Sequence, residues 1–396
     1  EDEGARERNY VGNADWVMSD ITVTTSVNQT PIAPGRLTFE GVDEDRRIRR
    51  FESTNPILGV FSIQSANYEL TAKQHDGVSL EVYHHPTHDL NAQRMLDAMA
   101  VSLDYFQQNF GPYQFDYARI IEFPGYASFA QAFAGTVPYS ERIGFIANAA
   151  DENDIDYVTY VTAHEYAHQY WAHQLVSAYM QGGTLLVETM AQYSALMVMK
   201  QLYGEEQIRR FLKYELDSYL SSRGSEAIEE LPLNRVENQG YIHYRKGAVV
   251  MYLLQDRLGE LRVNQMLAEL LAQYRFKSQP YASASDLVSG FKSLTRNDAE
   301  RRLVGDLLEK ITLYDFKVID ATTHSLASGH FETTVTASVK KAYADSEGVE
   351  LEDKFDNFVD VGAFTKRPDY EALQPENVLF LELRPVKSGQ QTLTIV

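Results

Sequence analysis

The residues with the clearest chemical potential lie in the stretch HEYAHQYW, where His164 and His168 stand four apart and Glu165 follows the first of them. On a helix, residues at i and i+4 share one face, one turn above the other. Two imidazoles stacked that way can close on one metal ion. A carboxylate at Glu165 can take a proton from the attacking water and later pass it to a leaving amine. A hydrolytic zinc centre takes three protein ligands and keeps a fourth position open for water. Glu188, separated from His168 by nineteen residues, is the candidate third ligand. The pattern predicts one Zn2+ per chain and peptide-bond hydrolysis. The plain alternative is that histidines and acids happen to line a solvated helix face.

These side chains need two helices to position them. No Gly or Pro occurs from Asp151 to Gln181, and Ala163, Ala167 and Ala172 favour a helix. The run Gln181-Gly182-Gly183-Thr184 then predicts a break and a turn back. The apolar stretch LLVETMAQYSALMVM that follows reads as a second, antiparallel helix bringing Glu188 to the two histidines.

The rest of the chain supplies a scaffold of ordinary composition. It has 396 residues, a hydrophobic fraction of 44% and a formal net charge of −20. That length predicts two or three domains. The negative balance argues against nucleic acid or an anionic membrane as a main partner. There is no cysteine, so disulfides and thiolate ligands are excluded and His and carboxylate ligands remain. The lack of cysteine suits an extracytoplasmic enzyme. No apolar run is long enough to span a bilayer. The polar start EDEGARERNY leaves open a cytoplasmic protein, a mature form or a piece of a longer chain.

In chain order, the pattern predicts an α+β protein. Residues 1–80 read as a partial N-terminal β-domain, with strands in DITVTTSV, RRIRRFES and GVFSIQSANYEL. Residues 81–313 read as the mainly helical catalytic domain. It opens with the strand SLEVYHH and a helix capped by Asn91, whose Met95, Leu96, Met99, Leu103 and Phe106 recur at helical spacing. The strand ARIIEF and the stretch ASFAQAFAGTVPYSERIGFI are expected to line the cleft beside the metal helices. Further helices are expected in QIRRFLKYELDSYLSS, YIHYRKGAVVMYLLQDRL, DLVSGFKSL and DAERRLVGDLLEKI. Residues 314–396 alternate and are rich in threonine, which predicts a C-terminal β-sandwich.

HEYAHQYW, then ETMAQYSA, then YRKGA resemble the aminopeptidase N family of zinc peptidases, in the gluzincin group, over roughly residues 40–310. The resemblance implies a thermolysin-like catalytic domain and zinc ligands His164, His168 and Glu188. It implies Glu165 as general base and a peptide as substrate. It also implies that Tyr244, ahead of x-Lys-Gly, hydrogen-bonds the oxyanion; on base rates alone Tyr244 would be a buried structural tyrosine. The chain is most similar to a bacterial branch fused behind ABC-transporter permeases. That implies an extracytoplasmic piece tethered to a membrane permease.

The chain also departs from that family. The interval from the second His to the zinc Glu is one residue longer. The family's Gly-Ala-Met-Glu-Asn segment falls at Phe129–Phe133, reading FAQAF, so the glutamate that grips a substrate's free α-amine is replaced by Ala132. Gln131 is the polar neighbour whose carbonyl can accept from an ammonium, more weakly than a carboxylate would. Glu141 and Glu122 are possible substitutes, each more simply a solvated or salt-bridged acid. The first part of the family's front β-domain, which also serves the amine site, is expected to be missing. His173 stands where the family has Asn and reads as a surface or second-layer histidine, since a fourth protein ligand would close the site. Together these imply aminopeptidase-type hydrolysis with amino-terminal selectivity open. An open amine site would admit longer chains. The alternative is a peptide-binding or regulatory module on a transporter that retains zinc and turns over little.

Overall fold

The structure, a computed structural model, describes residues 3–149, 155–225, 229–366 and 375–396. Of the stretch without Gly or Pro, residues 151–154 therefore lie outside the described residues.

The front of the chain is β-rich. β1 (Asp20–Ser26), β2 (Arg36–Asp43) and β3 (Arg46–Glu52) form an antiparallel sheet in the order β1–β3–β2. Its side chains alternate between half-buried and exposed along β1, as a strand with one covered face requires. β4 (Glu69–His75) and β5 (Val78–His84) form a hairpin belonging to a different sheet. That sheet continues with β6 (Tyr117–Phe123) and β7 (Thr136–Ser140), in the order β7–β6–β5–β4, with β6 parallel to both neighbours. The cleft-bearing sheet thus spans the expected boundary at residue 80. All residues of β6 and β7 are buried, as in a parallel strand covered on both faces, and the buried Arg119 of β6 is paired with Glu81 at 2.8 Å.

α1 (Ala92–Phe110) packs its Met95, Leu96, Met99, Leu103 and Phe106 stripe fully into the core. Asn91 precedes it but does not cap it. Its Nδ2 instead donates to the carbonyls of Gly144 (2.7 Å) and Ala147 (2.8 Å), fastening the helix start to the loop behind β7.

α2 (Tyr157–Ala167) is the motif helix, and it packs against α1 and α3 (Met190–Tyr203). Its N-cap Asp156 accepts from the Thr159 N–H at 3.1 Å, pairs with Arg94 at 2.7 Å and accepts from the Tyr203 hydroxyl. Nearly every α2 residue is buried, so the helix has no solvated face and the plain reading of its histidines fails. The helix stops far before the glycines. After Ala167 the backbone tightens, with Tyr170 N–H bonding Ala167 O at 2.9 Å, and side chains take over as anchors. His168 Nδ1 lies 3.1 Å from Trp171 O, and Trp171 Nε1 donates to Ser194 Oγ at 3.0 Å.

The remaining helices are α4 (Glu205–Arg223), α5 (Gly247–Leu258), α6 (Glu260–Tyr274), α7 (Ala284–Leu294) and α8 (Asp298–Leu308). One apolar core joins the sheet to these helices, from Ile57 to Leu308. Beyond it, β8 (Ile311–Ser325), β9 (Phe331–Ala344) and β10 (Glu350–Asp353) form a sheet. β11 (Asp356–Phe364) pairs with β12 (Val378–Lys387), and β13 (Gly389–Ile395) pairs with β9. A small core of Val339, Phe355 and Val386 joins these sheets. Lys341 on β9 reaches Asp306 on α8 at 2.6 Å, fixing the sheet to the helices. No helix among the described residues is long and apolar enough to cross a membrane.

Candidate active site

The cleft floor is built from the C-terminal end of α2 and two π-helical turns, Leu185–Thr189 and Tyr241–Lys246. A π turn holds more residues than an α turn and is common at functional sites. The first carries Glu188 and the second Tyr244. Gly182 has a different task. It takes a left-handed φ of +81°, and a Cβ there would lie 2.2 Å from Asn234 O. The two π turns approach closely because Gly247 has no side chain: a Cβ would meet Thr189 at 2.6 Å. Thr189 Oγ1 donates to His243 O at 2.6 Å across that contact, so Glu188 and Tyr244 are delivered from adjacent turns.

His164 and His168 present perpendicular rings with centroids 4.7 Å apart. His168 Nδ1 donates to Trp171 O, which leaves its Nε2 as a lone-pair donor facing the cleft. The His164 and His168 Nε2 atoms are 3.1 Å apart, and Glu188 Oε2 lies 3.4 and 3.3 Å from them. Glu188 Oε2 is buried and accepts no hydrogen bond. A tetrahedral centre with bonds of ~2.0–2.1 Å places its ligand atoms ~3.3–3.4 Å apart. The three donor atoms, the orphaned carboxylate oxygen among them, therefore fit a metal ion.

Electrostatics follow from burial and these contacts. Burial opposes ionisation of Glu188, yet His168 and His164 outweigh it and hold the carboxyl well below its usual range. Burial lowers the His168 value, but Glu188 and then Glu165 raise it to about 9, so near neutrality Nε2 carries a proton that a bound metal ion would displace. Glu165 is buried, which pushes its carboxyl up against the opposing pull of both histidines, and the Ala132 N–H donates to it. The Tyr244 ring lies 5.8 Å from that of His164. Burial first, and then Glu188, push its phenol far above the ordinary value, so it stays an O–H donor and gives its hydrogen to Glu188.

The rim is formed by Phe129–Phe133, which folds back along β7. Gln131 N–H donates to Pro138 O at 3.0 Å, and Ser140 N–H to Phe129 O at 3.0 Å. Gln131 projects an exposed side chain, whereas Ala132 is buried. The carbonyl of Ala132 is 3.2 Å from His173 Nε2. His173 is thus no surface residue: burial depresses it to about 4, so it is neutral and holds the rim. Gln169, one residue past His168, clamps the same hairpin by accepting from Gly135 N–H (2.8 Å) and donating to Phe133 O (2.9 Å). Nothing local in the sequence marks Gln169 for this work.

Glu122 and Glu141 are not at the cleft. Glu122 lies 2.5 Å from His88 Nδ1 and accepts from the His85 N–H, while Glu141 accepts from the Gly125 N–H at 2.7 Å. Glu122 fastens the loop after β5, and Glu141 the loop after β6. The sequence reading also missed Tyr10. The N-terminal segment crosses the metal elements, with Tyr10 N–H on Ser177 O and Tyr179 N–H on Arg8 O, both at 2.8 Å. Tyr10 and Val11 thereby line a cavity of about 430 Å³ with Gln131, His168, His173 and Glu188.

Residues 94–304 match the Peptidase family M1 domain. The chain is 27% identical over 219 residues to endoplasmic reticulum aminopeptidase 2 of Homo sapiens, covering 53% of this chain and 23% of that protein. It is 25% identical over 193 residues to probable aminopeptidase 1 of Sulfurisphaera tokodaii, covering 47% and 24%. The chain thus spans about a quarter of the length of these relatives. In fold it is similar to an M1 zinc metallopeptidase of Deinococcus radiodurans, with a TM-score of 0.57 and 18% identity, over 75% of this chain and 65% of that one. The matched region holds both π turns and every residue of the cleft floor, and on that match the chain belongs to peptidase family M1, the aminopeptidase N family.

Proposed function

We propose that this chain hydrolyses peptide bonds with one zinc ion held by His164, His168 and Glu188, using the machinery of an aminopeptidase-type enzyme. The observation that carries this is the convergence of three donor atoms, 3.1 to 3.4 Å apart, beside a buried carboxylate and a protonated phenol. A zinc ion held by these residues would supply Lewis acidity toward the scissile carbonyl and the attacking water. Glu165 accepts the proton of the attacking water. Its raised affinity for protons suits it to keep that proton and return it to the departing amine. Tyr244 donates its O–H to the oxygen that gains charge in the transition state. Trp171 O holds His168 in the ligating tautomer.

The test is removal and return of the metal. Chelation should abolish cleavage of both aminoacyl reporters and internally quenched peptides, and one equivalent of zinc per chain should restore it. Full activity in the chelated protein contradicts the reading.

A second reading is a peptide-binding module on a membrane permease, located outside the cytoplasm. The neutral rim of Gln131 and Ala132 motivates it, and it predicts peptide binding with stoichiometric zinc and no turnover.

A further inference from the structure

We propose that a peptide runs through the cleft, so that the chain cuts inside peptides and needs no free amino terminus. The proposal rests on the hydrolytic reading above and names the substrate class. An enzyme that trims one end must hold that end's charge about one residue from the scissile bond. An amino terminus is a cation and requires a carboxylate there, the more so beside a dication that repels it. A carboxyl terminus requires a free guanidinium or ammonium.

Cavities flank the three ligands on both sides. On the His168 and Glu188 side, the space of about 430 Å³ is lined by Tyr10, Val60, Gln131, Ala132 and the neutral His173. Glu188 is the one carboxylate among these described lining residues, and it is committed to the metal. On the His164 side, a space of about 230 Å³ is lined by Phe129, Tyr157, Glu165, Tyr244 and Arg245. Arg245 already pairs with the buried Glu215 at 3.0 Å, and Glu215 also accepts from Tyr160 and Gln192. Among the described residues, neither cavity is lined by an uncommitted counter-charge for a chain end.

Space also lies on the far side of Tyr10, which is a wall shared with a third cavity of about 380 Å³, lined further by Tyr179, Gln181, Thr184, Glu237 and Asn238. A chain that passes Tyr10 would enter it, and Glu237 favours a basic side chain there.

The test compares one quenched peptide, long enough to fill all three cavities and carrying a lysine near its amino end, in N-acetylated and free-amine forms. Both should be cut at the same internal bond with kcat/KM within about threefold, and an aminoacyl amide should be cut at least about tenfold more slowly. Stepwise trimming of the free form with the acetylated form left intact overturns the proposal while leaving hydrolysis standing. Binding separates the two readings when neither form is cut. On zinc-loaded Glu165→Gln, fluorescence anisotropy should give the two forms equal affinity within about threefold. A free-amine form bound about tenfold tighter overturns the proposal.

Discussion

The floor and the rim of the cleft are built on opposite principles. The floor holds the charges: His164, Glu165, His168 and Glu188 are buried or nearly so, on α2 and a π turn locked by Gly247 and Thr189. The rim holds none. Gln131 is exposed and neutral, Ala132 has no polar side chain, and His173 beneath it is uncharged. A buried cluster of unlike charges is costly to assemble and is strongly specified by its neighbours. A neutral strand clamped by Gln169 and His173 can change residues with little effect on folding. On the proposed function the difference separates two tasks: the floor would carry bond cleavage, and the rim the choice of which peptide is cut.

Substitutions on the floor should break cleavage, and those on the rim should shift choice. His168→Ala should have the largest effect. It removes a proposed ligand and leaves Glu188 without its strongest partner, so elemental analysis should find no stoichiometric zinc and peptide assays no turnover. Tyr244→Phe should come next. Zinc content should be unchanged, and kcat should fall by about 10²–10³, with KM altered much less. A fall in KM-linked binding with kcat preserved would move Tyr244 from floor to rim.

Gln131→Glu sharpens the other half of the comparison. It places a carboxylate on the exposed rim without touching the floor. The ratio of kcat/KM for free-amine over acetylated peptide should rise about tenfold, at constant zinc content. An unmoved ratio would show that the amine side of the cleft lies elsewhere.

The smallest effect concerns the clamp beneath the rim. The His173 value is depressed from 6.5 to about 4 by burial. The unfolded chain therefore binds a proton there that the folded chain refuses. Stability should fall as pH drops from about 6.5 to about 4 and level off below, by on the order of 3 kcal/mol for this group at the full shift. In chelator, urea unfolding of His173→Asn should show a shallower acid slope than the parent. Equal slopes would mean that another group sets the acid limb.

How much of this was legible in the sequence depends on range. His164, Glu165 and His168 declared themselves because helical spacing is local. The strands ARIIEF and DITVTTSV and the α1 stripe followed from period alone. The resemblance through ETMAQYSA and YRKGA pointed to Glu188 and Tyr244, which the fold brings beside the histidines. What stayed hidden was set by distant partners. The length of α2 depends on Trp171 finding Ser194, and Asn91 gives up its cap for carbonyls more than fifty residues away. Glu122 and Glu141 look available in sequence until His88, His85 and Gly125 are seen to occupy them. Tyr10 reaches the cleft through backbone pairing with Ser177, which carries no side-chain signal. Even the π turn at Glu188 is a local structure stabilised by a remote glycine, Gly247.

The most direct test of the floor is the rate of peptide cleavage by Glu165→Ala against the parent chain at matched zinc content. The account predicts equal zinc and a rate reduced by at least about 10²-fold on every peptide, since the residue that accepts and returns the proton is gone. An unchanged rate at equal zinc would contradict it.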